Sequence, residues 1–162
     1  MAQDMVELEP VGGVSAEDQA ELRTDHLQRE VGYHLKRAYV HVIETFHREL
    51  REFSLRPGEF SVLCVLGENT DVTAKKLSRT LNIAPPNLAG LLENLEKRGL
   101  ICRVPNPLDR RSQHLQLTDL GTQHLAQSQK RALHAQNLAV SALSAAEREQ
   151  LISLLKKIYR PV

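Results

Sequence analysis

Asp109, Arg110 and Arg111 stand in a row between two short β-like runs, Leu100 to Val104 and His114 to Leu117. Pro, Asn, Asp and Ser bound both runs, which is the punctuation of a small hairpin, so the charged residues fall at its tip. A cationic finger of this kind is suited to lying along a phosphate backbone. Lys75, Lys76 and Arg79 form a second cationic group upstream. Each group has a plainer reading as a solvated charged face, but two of them close together in the chain favour an anionic partner.

Chemistry of other kinds finds little support. No Gly-x-Ser-x-Gly elbow, phosphate loop or Gly-rich dinucleotide fingerprint occurs, so the chain is not expected to be an enzyme and no cofactor is implied. The seven histidines are dispersed without the spacing of zinc ligands, and no metal site is expected. Two cysteines, Cys64 and Cys102, are too few for a disulfide scaffold. A redox-active thiol needs an accessible, electropositive setting; Cys102 beside Arg103 fits this better than Cys64 among apolar neighbours, and a structural role is the preferred reading for both.

Composition bounds the rest. A chain of 162 residues with 41% hydrophobic and 25% charged residues suits one compact domain, or one core with an assembly arm. The first residues lack the basic start and apolar run of a signal peptide, and no apolar stretch approaches the ~20 residues needed to span a bilayer, so a cytoplasmic protein without a membrane partner is expected. Aromatic content is 4% with no Trp, which disfavours single-strand binding by base stacking. The net charge of +1 conceals a division: residues 1–30 hold eight acids against two bases, and residues 72–120 hold eight bases against four acids. The middle of the chain is therefore the anion-facing part.

The elements that must position these residues follow from periodicity. Residues 1–24 show no sustained pattern and are expected to form a flexible acidic tail. From Asp25 to about Phe53, apolar residues including Leu27, Val31, Val42, Phe46 and Leu50 recur three or four apart, predicting one amphipathic helix on the order of 40 Å long. That exceeds what one small core covers, so part of it is expected to pack on another chain. Pro57 opens a strongly apolar second helix. Thr73 N-caps a short third helix through Leu81, and a turn of Asn82, Ile83 and Ala84 leads to a fourth opened by Pro85 and Pro86 and ended by Gly99. A short helix, a tight turn and a longer helix form a helix-turn-helix, whose second helix enters the major groove. Beyond the hairpin, Thr118 caps a fifth helix to about Val140, and Ser144 with Glu147 forms a capping box for a sixth. The first, fifth and sixth helices are the candidates for a dimer interface.

This order of elements resembles the MarR family of winged helix-turn-helix regulators over roughly residues 30–160. The resemblance is carried by Leu77, Leu81, Ile83, the run from Leu91 to Leu100, and Asp109-Arg110-Arg111-Ser112 followed by Leu115, Leu117 and Thr118. It implies a mainly α fold with a small β-hairpin wing. Residues 56–117 then form the DNA-binding domain, and 25–55 with 118–162 form a helical dimerisation region. It further implies a homodimer on a pseudo-palindromic double-stranded operator, with Arg111 in the minor groove, Asp109 bracing the tip, and Arg110 and Arg103 on phosphates. Thr73, Lys75, Lys76 and Arg79 anchor the backbone, and Pro85, Pro86, Asn87, Gly90 and Asn94 occupy the face that approaches bases. Gly90 offers no hydrogen bond, so specificity is expected to lean on the wing and groove shape.

Relatives of this type bind small phenolic or carboxylate compounds between the dimer helices and the winged domain. His34, Arg37 and His41 share one helical face beside Tyr33 and Tyr39. A guanidinium flanked by imidazoles can hold an aromatic carboxylate, with Phe60 and Cys64 as an apolar wall. The competing reading is a solvated stripe continuing through Glu44 and Arg48. The expected function is a ligand-responsive transcriptional regulator, a repressor released by a small aromatic acid. The alternatives are a winged-helix protein-interaction module and a redox-sensing regulator using a cysteine.

Overall fold

The computed structural model describes residues 22–105 and 113–159. The order is α1 (Val31–Glu49), α2 (Pro57–Glu68), α3 (Ala74–Leu81), α4 (Pro85–Lys97), β1 (Ile101–Pro105), β2 (Gln113–Leu117), α5 (Asp119–Ala139) and α6 (Ala145–Ile158). The mainly helical fold with a two-stranded wing is the one expected. The expectations placed on residues 1–21, and on Asp109, Arg110 and Arg111, lie outside the described residues. Contacts divide the chain into one compact unit ending at Arg37 and another beginning at Ala38.

The single long helix expected over 25–53 is instead three pieces. A 3-10 turn at Leu27–Arg29 ends on an extended Glu30, α1 covers 19 residues or about 28 Å, and a second 3-10 turn occupies Arg51–Phe53. Apolar periodicity passes smoothly over these breaks because a 3-10 turn keeps nearly the same facing. The backbone does not: Leu50 leaves the helical region and Ser54 adopts a left-handed conformation with φ 48°. The turn brings Leu50 and Leu55 into the interior, where both are buried. Pro57 then forces an extended Arg56 ahead of α2.

In the second unit one apolar cluster joins the helix-turn-helix to its wing. Val62 and Leu63 of α2, Leu77 of α3, Leu92 and Leu95 of α4 and Leu115 of β2 are essentially inaccessible to solvent. The strands pair antiparallel, from Ile101 opposite Leu117 to Pro105 opposite Gln113. Leu115 also bridges to Val72, its amide donating to the Val72 carbonyl at 2.8 Å, so the wing is tied to the start of α3. The predicted caps form: Thr73 accepts from the Lys76 amide, Thr118 from the Gly121 amide and Ser144 from the Glu147 amide. Among the described residues no helix is long and apolar enough to cross a membrane.

Candidate nucleic-acid interface

Helix α3 starts from a rigid platform. Asp71 adopts a left-handed backbone with φ 57°, its carbonyl accepts from Lys76 Nζ at 2.9 Å, and its carboxylate lies 3.3 Å from Nδ1 of the buried His114 on β2. Lys76 is thereby turned back onto the loop, and Lys75, Lys76 and Arg79 are all exposed. At the other end Asn82, with φ 50°, closes the turn, and its amide donates to carbonyls of the last turn of α3. The Ser78 hydroxyl donates to the Ile83 carbonyl at 2.8 Å, and α4 begins at Pro85.

These elements frame a cleft of about 460 Å³ between α3, α4 and β1, with Lys75, Arg79 and Arg103 around an apolar floor of Leu88, Ala89 and Leu92. Among the described residues no acid lines it. Arg103 reaches it while pairing with Glu96 at 3.0 Å, which fixes the guanidinium beside α4. Pro85, also at the cleft, is exposed together with Pro86, Asn87 and Gly90 along α4, and a Cβ on Gly90 would meet nothing within 4 Å. Asn94, placed on the same helix, has its side-chain amide donating to the buried carboxylate of Glu59.

The residues expected to hold an effector are divided between the two units. In the first unit His34 Nε2 lies 3.0 Å from the Gln28 carbonyl, and Arg37 donates to the Tyr33 hydroxyl at 3.0 Å with its charge over the Tyr33 ring. In the second unit a cleft of about 520 Å³ is lined by Val42, Phe46, Pro57, Phe60, Ser61 and residues of α5 from Gln129 to Gln136. Phe60 is there, in edge contact with Phe46 at 5.6 Å between centroids. His41 and Cys64 are not among its lining residues, and none of the lining residues carries a full charge. Burial pushes the Cys64 thiol up, with a hydrogen bond from Gln129 opposing it only in part, which works against a reactive thiolate.

Sequence reasoning missed Glu59, Arg98, Asp71 and His114. Glu59 carried a signal, as the one acid in an otherwise apolar turn three residues after Arg56, whose amide donates to it at 2.9 Å. The His114 and Asp71 pairing has no local signal, because the two residues are brought together only by the wing folding back.

A helix-turn-helix followed by an antiparallel hairpin, with cations converging beside an exposed second helix, defines a winged-helix protein of the transcriptional-regulator class. The family model described as MarR family matches residues 55–113. A protein assigned to transcriptional regulation of the hcr operon in Thauera aromatica is 31% identical over 144 residues, covering 88% of this chain and 87% of that one. The transcriptional repressor CouR bound to a 23-mer DNA duplex is 37% identical with a TM-score of 0.82, covering 87% of this chain and all of that one; a CouR structure bound to p-coumaroyl-CoA is 34% identical with a TM-score of 0.79, covering 88% and 100%. BpsR of Bordetella bronchiseptica, whose DNA binding is regulated by 6-hydroxynicotinic acid, is 26% identical with a TM-score of 0.78, over 82% of this chain and 95% of that one. The chain belongs to the MarR family, and is a transcriptional regulator.

Proposed function

We propose that this regulator is a homodimeric repressor that holds a pseudo-palindromic operator through α4 and the wing and releases it when a small aromatic acyl compound binds. One observation carries the DNA reading: Lys75, Arg79 and Arg103, from two different elements, converge on a single face beside the exposed start of α4. Three cations on one face, one of them held in place by Glu96, suit successive phosphates, and α4 then stands where a recognition helix enters the major groove. Thr73 and Lys75 fall on the backbone-anchoring side, and Asn87 is the polar side chain nearest the start of α4 that can pair with a base edge. Arg111 is assigned to the minor groove, Arg110 to phosphate and Asp109 to bracing the tip. In this assignment residues 56–117 read DNA, and 25–55 with 118–162 build the dimer.

For the effector, the cleft at Phe46 and Phe60 offers aromatic edges and amide groups from Gln129 and Gln136. The expected ligand is an aromatic carboxylate. The uncharged lining specifically favours a second form, a thioester of such an acid, whose acyl end carries no charge and needs no cation beside it. Release follows if the ligand favours a dimer whose recognition helices no longer match half-sites about 34 Å apart.

Genomic fragments retained by the purified protein supply the operator for a gel-shift titration. Affinity is expected to fall steeply with salt, by a slope of about −0.9 per phosphate neutralised, and Arg111→Ala is expected to lose most of the specific binding. Full affinity in that variant removes the wing from the assignment. Aromatic acids and p-coumaroyl-CoA added to the same complexes are expected to release the duplex, and unchanged affinity with all of them ends the induced-release reading.

A further inference from the structure

Glu59 is a carboxylate inside an apolar helix, with the residue only 1% exposed. A buried charge persists only where partners satisfy it, and Glu59 has three. The Arg56 amide donates to Oε2 at 2.9 Å, the Asn94 side-chain amide donates to Oε1, and Arg98 Nη1 lies 3.8 Å from Oε2. Arg98 in turn donates to the carbonyls of Ser54 at 2.9 Å and Phe53 at 2.8 Å. Leu91, Asn94 and Arg98 are three and four residues apart and so share one flank of the helical turn. That flank faces the start of α2, where a Cβ on Gly58 would come within 3.0 Å of the Leu91 side chain.

We propose that Asn94 is a positioning residue: by holding Glu59, together with Arg98, it sets the angle at which α4 is presented to DNA and does not itself read a base. The inference rests on the reading of α4 as the recognition helix. An Asn that reads adenine must donate and accept at the same time. Here one of the two N–H donors of Asn94 is committed to a buried carboxylate, which turns the amide toward α2, and swinging it to a base costs that charge a hydrogen-bond partner. The spacing that places Asn94 with Asn87 and Gly90 therefore conceals a division of labour, in which the flank toward α2 fixes the helix and the opposite flank meets the groove.

Exchanging the pair tests this. The probe is a duplex selected from a random-sequence pool by the unsubstituted protein. Asn94→Asp alone sets two carboxylates against each other, and affinity is expected to fall about tenfold or more. Adding Glu59→Gln reverses the hydrogen bond: the amide now on α2 donates to the carboxylate now on α4, and Arg98 keeps a charged partner. Affinity is then expected to return to within about threefold, with base preference unchanged at every position. A carboxylate cannot donate to a base, so a double variant that stays as weak as Asn94→Asp, or that loses preference at one base pair, overturns the proposal. Unfolding midpoints measured without DNA are expected to show the same loss and recovery. If the unsubstituted protein selects no sequence, the DNA reading fails; the midpoints then decide the strut by themselves, recovery supporting it and no recovery overturning it.

Discussion

His124 shows how a single side chain makes this fold sensitive to acid. On α5 its ring meets Phe53 edge-on, with centroids 5.5 Å apart, and its Nδ1 is buried without a hydrogen-bond partner among the described residues. Burial, and secondarily the charge of Arg98, hold its pKa below the ordinary 6.5. The unfolded chain therefore takes up this proton before the folded one does. Its contribution is complete above the unfolded value and is lost as pH falls through that value toward the folded one. His124→Phe keeps the edge contact and removes the titration. Between about pH 7 and pH 5 the unfolding midpoint of the unsubstituted protein is expected to decline more steeply than that of His124→Phe. Parallel declines measured by differential scanning calorimetry remove His124 as the source of the acid sensitivity.

Between elements, the tightest junction is where the wing hands over to α5. Thr118 donates from its hydroxyl to the Gly99 carbonyl at 2.6 Å and accepts from the Gly121 amide at 2.9 Å, so the first turn of α5 is pressed against the end of the α4 loop. A Cβ on Gly121 would lie 1.9 Å from the Leu100 carbonyl oxygen, which is backbone and cannot rotate away. Gly121→Ala is expected to destabilise by about 3 kcal/mol in urea denaturation. Gly90→Ala, in open space, is expected to gain about 0.5–1 kcal/mol from helix propensity alone. A small cost for the first variant shows that the junction can relax.

The contrast between the two glycines also marks what the sequence discloses at this scale. Thr73, Thr118 and the Ser144 and Glu147 box were legible because a cap is a contact over three residues, and the helix-turn-helix was legible because its parts are consecutive. The breaks at Glu30 and Ser54 were hidden, since periodicity registers the facing of side chains and not backbone dihedrals. Gly121 and Glu59 were hidden for a different reason: their partners, Leu100 and Asn94, lie 21 and 35 positions away along the chain, and only packing brings them together.

At the scale of the whole molecule, α6 carries an apolar stripe that the other described residues leave exposed. Leu151, Leu154 and Ile158 follow a three- and four-residue spacing and are 40%, 49% and 61% exposed, a stripe that water disfavours. Local interactions nevertheless define the helix. Ser144 Oγ and its amide both donate to Glu147 Oε2, at 2.7 and 2.8 Å, which lowers the Glu147 pKa, and Arg148 donates to Asn137 Oδ1 of α5 at 2.8 Å. In the proposed dimer, this locally capped helix, whose stripe the described residues leave exposed, is the surface expected to meet a second copy. Leu151→Glu combined with Leu154→Glu is expected to leave helix content by circular dichroism nearly unchanged and to shift the protein from dimer to monomer in multi-angle light scattering. Because a monomer engages one half-site where a dimer engages two, operator affinity is expected to fall by about a hundredfold or more. A variant that remains dimeric places the assembly surface elsewhere, and one that becomes monomeric yet binds the operator with full affinity removes the two half-sites from the mechanism.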